Sequence, residues 1–166
     1  MTDTHTAPIA IREVTLAWSD DLALDLDFMD NTHREFVDLL AATELADDKT
    51  VVERFSTLID HTVDHFGRED QWMQDTQFSS GNCHTSEHDV ILKVMREGLR
   101  RGRDDGNLAM VRQLAHELGI WFAQHAQTMD AALAQHLQRV GYDAETGMLS
   151  APEALPVGEI QGCGGG

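Results

Sequence analysis

Basic residues are scarce in this chain. Twelve Lys and Arg stand against 29 Asp and Glu, for a formal net charge of -17 over 166 residues. Such a surface repels phosphate backbones and anionic headgroups, so neither nucleic acid nor a membrane is an expected partner. It also opposes self-association, which makes a monomer the default expectation. Long apolar runs are missing, and nothing approaches the roughly 18 residues that a spanning helix needs. The opening MTDTHTAPIA has neither a basic nor an apolar leader region, so a cytoplasmic location is expected. Cysteine is rare: Cys83 and Cys163 form no C-x-x-C pair and are expected as free thiols in a reducing compartment. No Gly-x-Ser-x-Gly elbow and no phosphate-type glycine loop occurs, so neither nucleophilic hydrolysis nor phosphoryl chemistry is indicated. Tyrosine occurs once, whereas histidine occurs nine times.

What the chain does contain is helical periodicity. Apolar residues make up 42 %, enough for one domain with a core. Residues 1–20 read as irregular. Leu22, Leu24 and Leu26 then alternate with polar neighbours, as in an extended arm packed on the domain. A first helix is predicted to start near Asp27 or Asp30, either of which can cap free N–H groups. It carries Met29, His33, Phe36, Val37 and Leu40 on one face. Asp47 and Asp48 supply the next cap. A second helix follows from Val51 to about Asp75, and a third from about Cys83 to Arg101. A fourth runs from about Asn107 to Val140 and stops at Gly141. Four amphipathic helices with short loops predict an all-α, antiparallel up-down-up-down four-helix bundle over residues 1–142, N-terminal arm included. Residues 143–166, with Pro152, Pro156 and five late glycines, are expected to form a flexible tail.

The histidines fall where the helices are apolar. His84 and His88 are four apart, about 40° around a helix, so both imidazoles can reach one ion. His65 and Glu69 repeat that spacing with one nitrogen and one carboxylate. His33 and His125 join from the first and fourth helices. A mixed imidazole and carboxylate set suits iron, manganese or zinc. Asp130 is awkward, because five residues past His125 is about 140° beyond a full turn of an ideal helix. Either the two border the interior from opposite flanks, or a local π-type bulge narrows the angle. A lone histidine on an apolar face is usually a core residue. Seven candidate donors spread over four helices are not explained that way, because unpaired buried polar groups cost roughly 1–3 kcal/mol each.

At this point the ordered set resembles the single-domain bacterial hemerythrins. The carrying segments are Asp30-Asn31-Thr32-His33-Arg34-Glu35-Phe36, His65 through Met73, His84-Thr85-Ser86-Glu87-His88, and Trp121-Phe122-Ala123-Gln124-His125 with Asp130 beyond. The resemblance spans about residues 16–142, including Trp18 of the arm, and fills every ligand position. It implies two iron ions bridged by oxo or hydroxo, with O2 as the ligand. His84, His88 and His125 would hold one iron, His33 and His65 the other, and Glu69 and Asp130 would bridge. The family's own spacing includes the five-residue step to the aspartate.

Several positions depart from the family. Ala126 stands where a bulkier aliphatic residue is frequent, which implies a leakier pocket beside the expected lining of Trp121 and Phe122. His61 stands where tyrosine is frequent; a hydrogen-bond partner, a surface residue and a surplus ligand are the three readings. His116 and His136 are expected away from the metals. The implied function is reversible O2 binding for storage, delivery or sensing, with no catalytic residues and an unknown protein recipient of the gas. A di-iron oxidase, peroxidase or NO-detoxifying enzyme is the competing class, and an iron or redox sensor the third. The chain has no Glu-x-x-His pair of the kind O2-activating bundles use.

Overall fold

The computed structural model describes residues 13–78 and 83–158. Five helices appear: α1 (Asp27–Leu45), α2 (Val51–Asp75), α3 (Cys83–Asp104), α4 (Leu108–His125) and α5 (Ala131–Val140). A π-helical segment, Ala126–Asp130, joins α4 to α5, so these three form one long rod. Each rod touches its two neighbours, α1 against α2 and α4, and α3 against α2 and α4. That closes the four-rod bundle expected from the sequence.

The ends of the rods follow local chemistry. Asp47 accepts from the backbone N–H groups of Lys49 and Thr50, at 3.0 and 2.9 Å, just before α2. Asn107 accepts from Met110 N–H at 3.1 Å and caps α4. Asp30 does not cap α1, as the sequence allowed. Its carboxylate instead accepts from Leu24 N–H at 2.8 Å and ties the arm to α1. The arm packs as expected: Leu22 is buried in the core, and the Arg34 guanidinium lies 4.4 Å over the Trp18 ring.

The core is split in two. One cluster gathers Phe36, Leu40, Phe55, Leu58, Met95 and Phe122 among others. The second gathers Met29, Trp72, Met73, Phe78, Leu133 and Leu137. In sequence, His33 stands between Met29 and Phe36, Glu69 between Phe66 and Met73, and Asp130 between Phe122 and Leu133. The polar residues of α1, α2 and the α4–α5 rod therefore lie where each passes from one apolar cluster to the other, whereas α3 joins only the first cluster and brings His84 and His88 from its N-terminal end.

Two expectations need correction. The stretch past 142 is not featureless. Tyr142 pairs with Leu149 in an antiparallel bridge, a short 3-10 turn spans Pro152–Ala154, and Tyr142 O–H donates to Asp75 at 2.9 Å. Polar composition hid a turn whose contacts are made with the bundle. The thiol expectation also fails: Cys83 is disulfide-bonded. The chain's other cysteine, Cys163, lies outside the described residues.

Gly141 ends α5 in the left-handed conformation, at φ 60°. Its N–H donates to Gln138 at 3.1 Å, and the Tyr142 N–H donates to Leu137 at 3.0 Å. A Cβ there would meet Ser150 Oγ at 1.8 Å. Gly141→Ala is expected to lose about 1–2 kcal/mol from the left-handed backbone alone. Urea unfolding should show a lower midpoint with an unchanged slope.

Candidate metal centre

All seven expected donors are buried: His33, His65, Glu69, His84, His88, His125 and Asp130. They converge in two groups. Glu69, His84, His88, His125 and Asp130 bring one ligand atom each within 4.8 Å of one another, and so do His33, His65, Glu69 and Asp130. Both carboxylates belong to both groups.

Local structure explains the convergence. Steps of four residues put His65 with Glu69, and His84 with His88, on single helical faces. The π-helical turn from Ala126 to Asp130 takes up the extra residue after His125. It brings Asp130 Oδ1 to 3.1 Å from His125 Nε2, which an undistorted helix would not. The bulge considered at the sequence level is therefore present.

Each carboxylate divides its oxygens. Glu69 Oε1 faces His65 and His33 at 3.0 and 3.7 Å, while Oε2 faces His88 and His84 at 3.4 and 3.7 Å. Asp130 Oδ2 faces His33 at 3.2 Å, while Oδ1 faces His84 at 3.0 Å. Every imidazole in these contacts presents Nε2. Yet His33 Nε2, His84 Nε2, Glu69 Oε2 and both Asp130 oxygens form no properly aligned hydrogen bond. Close approach without alignment is what donors aimed at a third centre produce. The residues thus fit a pair of cations, which would satisfy buried atoms that otherwise cost free energy.

The outward nitrogens differ. His88 Nδ1 lies 2.9 Å from Asp70, and His125 Nδ1 lies 3.3 Å from Glu87. Trp121 Nε1–H donates to the same Glu87 oxygen at 2.6 Å. Sequence reasoning missed Asp70 and Glu87. They sit beside ligands on their own helices, and only the packing of α2 on α3 and of α3 on α4 gives them these partners.

The pocket walls divide likewise. The Phe122 ring sits 5.1 Å from His33 and 6.3 Å from His65, with Phe36 stacked on it at 4.1 Å. Trp121, expected beside Phe122 in the pocket, instead lies against His125 at 4.5 Å. Ala126 is fully buried in the cluster of Phe36 and Phe122, so its small side chain does not sit at a solvent mouth.

His61 takes the first of its three readings. Its Nε2–H donates to the Thr32 carbonyl at 3.2 Å, bracing α2 against α1 next to His33. His116 is exposed and bonds Thr15 at 2.8 Å. His136 is buried but belongs to neither donor group; its Nε2–H donates to the Thr76 carbonyl at 2.9 Å.

The model of the hemerythrin HHE cation binding domain matches residues 24–137. The chain belongs to the hemerythrin family. It is 38 % identical over 129 residues to a bacteriohemerythrin of Ralstonia nicotianae, covering 78 % of this chain and 93 % of the relative. A bacteriohemerythrin of Aquifex aeolicus is 32 % identical over 117 residues, covering 66 % of this chain and 88 % of the relative. A myohemerythrin of Sipunculus nudus is 25 % identical over 113 residues, covering 68 % and 86 %. No solved structure matches. For a family member, the buried imidazole and carboxylate cluster fits a non-haem iron site.

Protonation balances the metal-free site. Burial opposes a charge on His33, but Asp130 and Glu69 outweigh it and push the pKa up to about 10. Burial likewise opposes His125, and Asp130 with Glu69 raises it to about 9. Burial and mutual repulsion work against ionised Glu69 and Asp130, yet the imidazoles hold both below the usual carboxylate range. Two protons thus stand where cations would. Bound metal needs neutral imidazole, so loading at pH 7 should release about two protons per chain. The release should fall toward one proton as the pH rises past about 9, the value for His125, and fade past about 10, the value for His33, and affinity should grow over the same span. A pH-stat titration with Fe(II) under nitrogen measures both.

Proposed function

We propose that this chain binds O2 reversibly at a non-haem di-iron centre held by His33, His65, Glu69, His84, His88, His125 and Asp130. The role is storage, delivery or sensing of the gas, handed to a protein recipient, by a cytoplasmic monomer rather than an enzyme. The carrying observation is the division of the Glu69 and Asp130 oxygens between the two imidazole groups. A carboxylate facing two ways is placed to bridge neighbouring cations.

Two irons held by these residues would supply the electrons with which O2 is bound. The chain supplies everything else. His84, His88 and His125 crowd one side with three imidazoles. His33 and His65 supply only two on the other, which leaves room there for a small ligand. Phe122 faces both of these histidines and Phe36 backs it, so the open side is apolar. A dry wall keeps protons and water from the bound gas. Five neutral imidazoles against two carboxylates stabilise high-valent iron poorly, which favours holding O2 over cleaving it.

Among the described residues no helix is long and apolar enough to cross a membrane.

The reduced, iron-loaded protein should develop a charge-transfer absorption on O2 titration, and sparging with argon should abolish it. Steady O2 consumption in the presence of excess reductant would instead assign the protein to the oxidase or peroxidase class. Phe122→Ala removes the apolar wall, so the oxygenated spectrum should decay several-fold faster. Core loss at this buried position should also cost about 3–5 kcal/mol. An unchanged decay rate in a folded variant would remove Phe122 from the account.

A further inference from the structure

The two halves of the site are braced unequally. On the three-histidine side, the outward nitrogens of His88 and His125 each meet a carboxylate, Asp70 at 2.9 Å and Glu87 at 3.3 Å. On the two-histidine side, the outward nitrogens of His33 and His65, both buried, have no hydrogen-bond partner. His84 Nδ1 has none either. Neither Asp70 nor Glu87 belongs to the groups that could hold a metal. They act on the site only through the rings they touch.

An N–H donated to a carboxylate fixes the imidazole tautomer, turns the ring and makes the opposite nitrogen a stronger donor. Glu87 does this with a second constraint. One of its oxygens, Oε1, also accepts the Trp121 N–H at 2.6 Å, and the Trp121 ring lies 4.5 Å from the His125 ring. The carboxylate, the indole and the imidazole therefore hold one another. Both side chains are partly solvated, with Asp70 37 % and Glu87 31 % exposed. Each carboxylate stays within reach of water while its partner ring is buried. The result is two extra negative charges, both on one half of the site.

We propose that Glu87 and Asp70 are positioning residues that make the His84, His88 and His125 half the tighter and more electron-rich metal site. The His33 and His65 half, unbraced, is the weaker one. The proposal rests on the two-metal reading above. Its content is that residues which never touch metal widen the difference that three imidazoles against two already set.

Co(II) titration of the metal-free protein under nitrogen tests it, followed by visible d–d absorption and by competition with a chelator. The wild type should bind two Co(II) in two resolved steps. Glu87→Gln keeps the shape and an acceptor oxygen for Trp121 but drops the charge. It should weaken the first step about 10-fold, shift that step's absorption and leave the second step unmoved. Glu87→Ala removes the acceptor as well and should weaken the first step toward about 100-fold. Asp70→Asn should act on the same step. Far-UV circular dichroism checks folding, and the Gln variant carries the test if the Ala variant does not fold. Unchanged steps in Glu87→Gln, equal weakening of both, or a wild type with a single affinity class overturns the proposal alone. Uptake of fewer than two Co(II) by the wild type overturns the two-metal reading with it.

Discussion

Two carboxylates buried at the centre of a helical bundle are the constraint to which the rest of this structure answers. An ionised carboxylate without partners is among the most expensive things a protein interior can hold. Glu69 and Asp130 are fully enclosed, and both are held in the ionised range by imidazoles. That requires donors from all sides, and four antiparallel rods are a direct way to deliver them. Three rods pass from one apolar cluster to the other and contribute a polar residue at the crossing level, and α3 brings its histidines to that level from its N-terminal end. The two clusters then seal the polar layer above and below, which raises the strength of every charge interaction inside it.

The cost of this arrangement is visible in one rod. α4 and α5 cannot continue as a single ideal helix, because His125 and Asp130 would then diverge. The π-helical turn between them resolves the conflict by widening the helix at the place where the ligands are needed. Such turns are rare and tend to mark functional sites. Here the reason is geometric: one additional residue must fit between two donors that converge. Ala126 begins this turn and is fully buried there. Its small side chain is thus part of the packing around the distortion.

Much of this was legible in the sequence because helical spacing is a local rule. The steps from His65 to Glu69 and from His84 to His88 place each pair on one face whatever surrounds them. Met29, Phe36 and Leu40 announce the buried stripe of α1 in the same way. The π-helical turn was legible only as a conflict, since spacing showed that Asp130 did not fit an ideal helix without showing how it would be accommodated. Contacts between rods were not legible. Glu87 stands beside His88 in the sequence yet serves His125 on the next rod, and Asp70 stands beside Glu69 yet serves His88. Trp121 and Phe122 look interchangeable as pocket lining, but adjacent residues on a helix point about 100° apart. They consequently serve opposite halves of the site. The bridge from Tyr142 to Leu149 and the disulfide at Cys83 escaped for a related reason, since composition speaks for the average environment and not for one partner.

The division between the halves connects structure to task. A gas carrier must hold its metals firmly while leaving one side reachable, and these demands conflict if both are placed on the same ligands. Here they are separated. On the reading proposed above, three imidazoles, two of them backed by carboxylates, would serve retention. On the other side two imidazoles meet the apolar ring of Phe122. Such surroundings would suit a small uncharged ligand, whereas water would gain little there because it would find few polar partners. Selectivity for a diatomic gas then needs no specific contact to the gas itself. It follows from placing the polar braces on one side of the two shared carboxylates and the aromatic wall on the other.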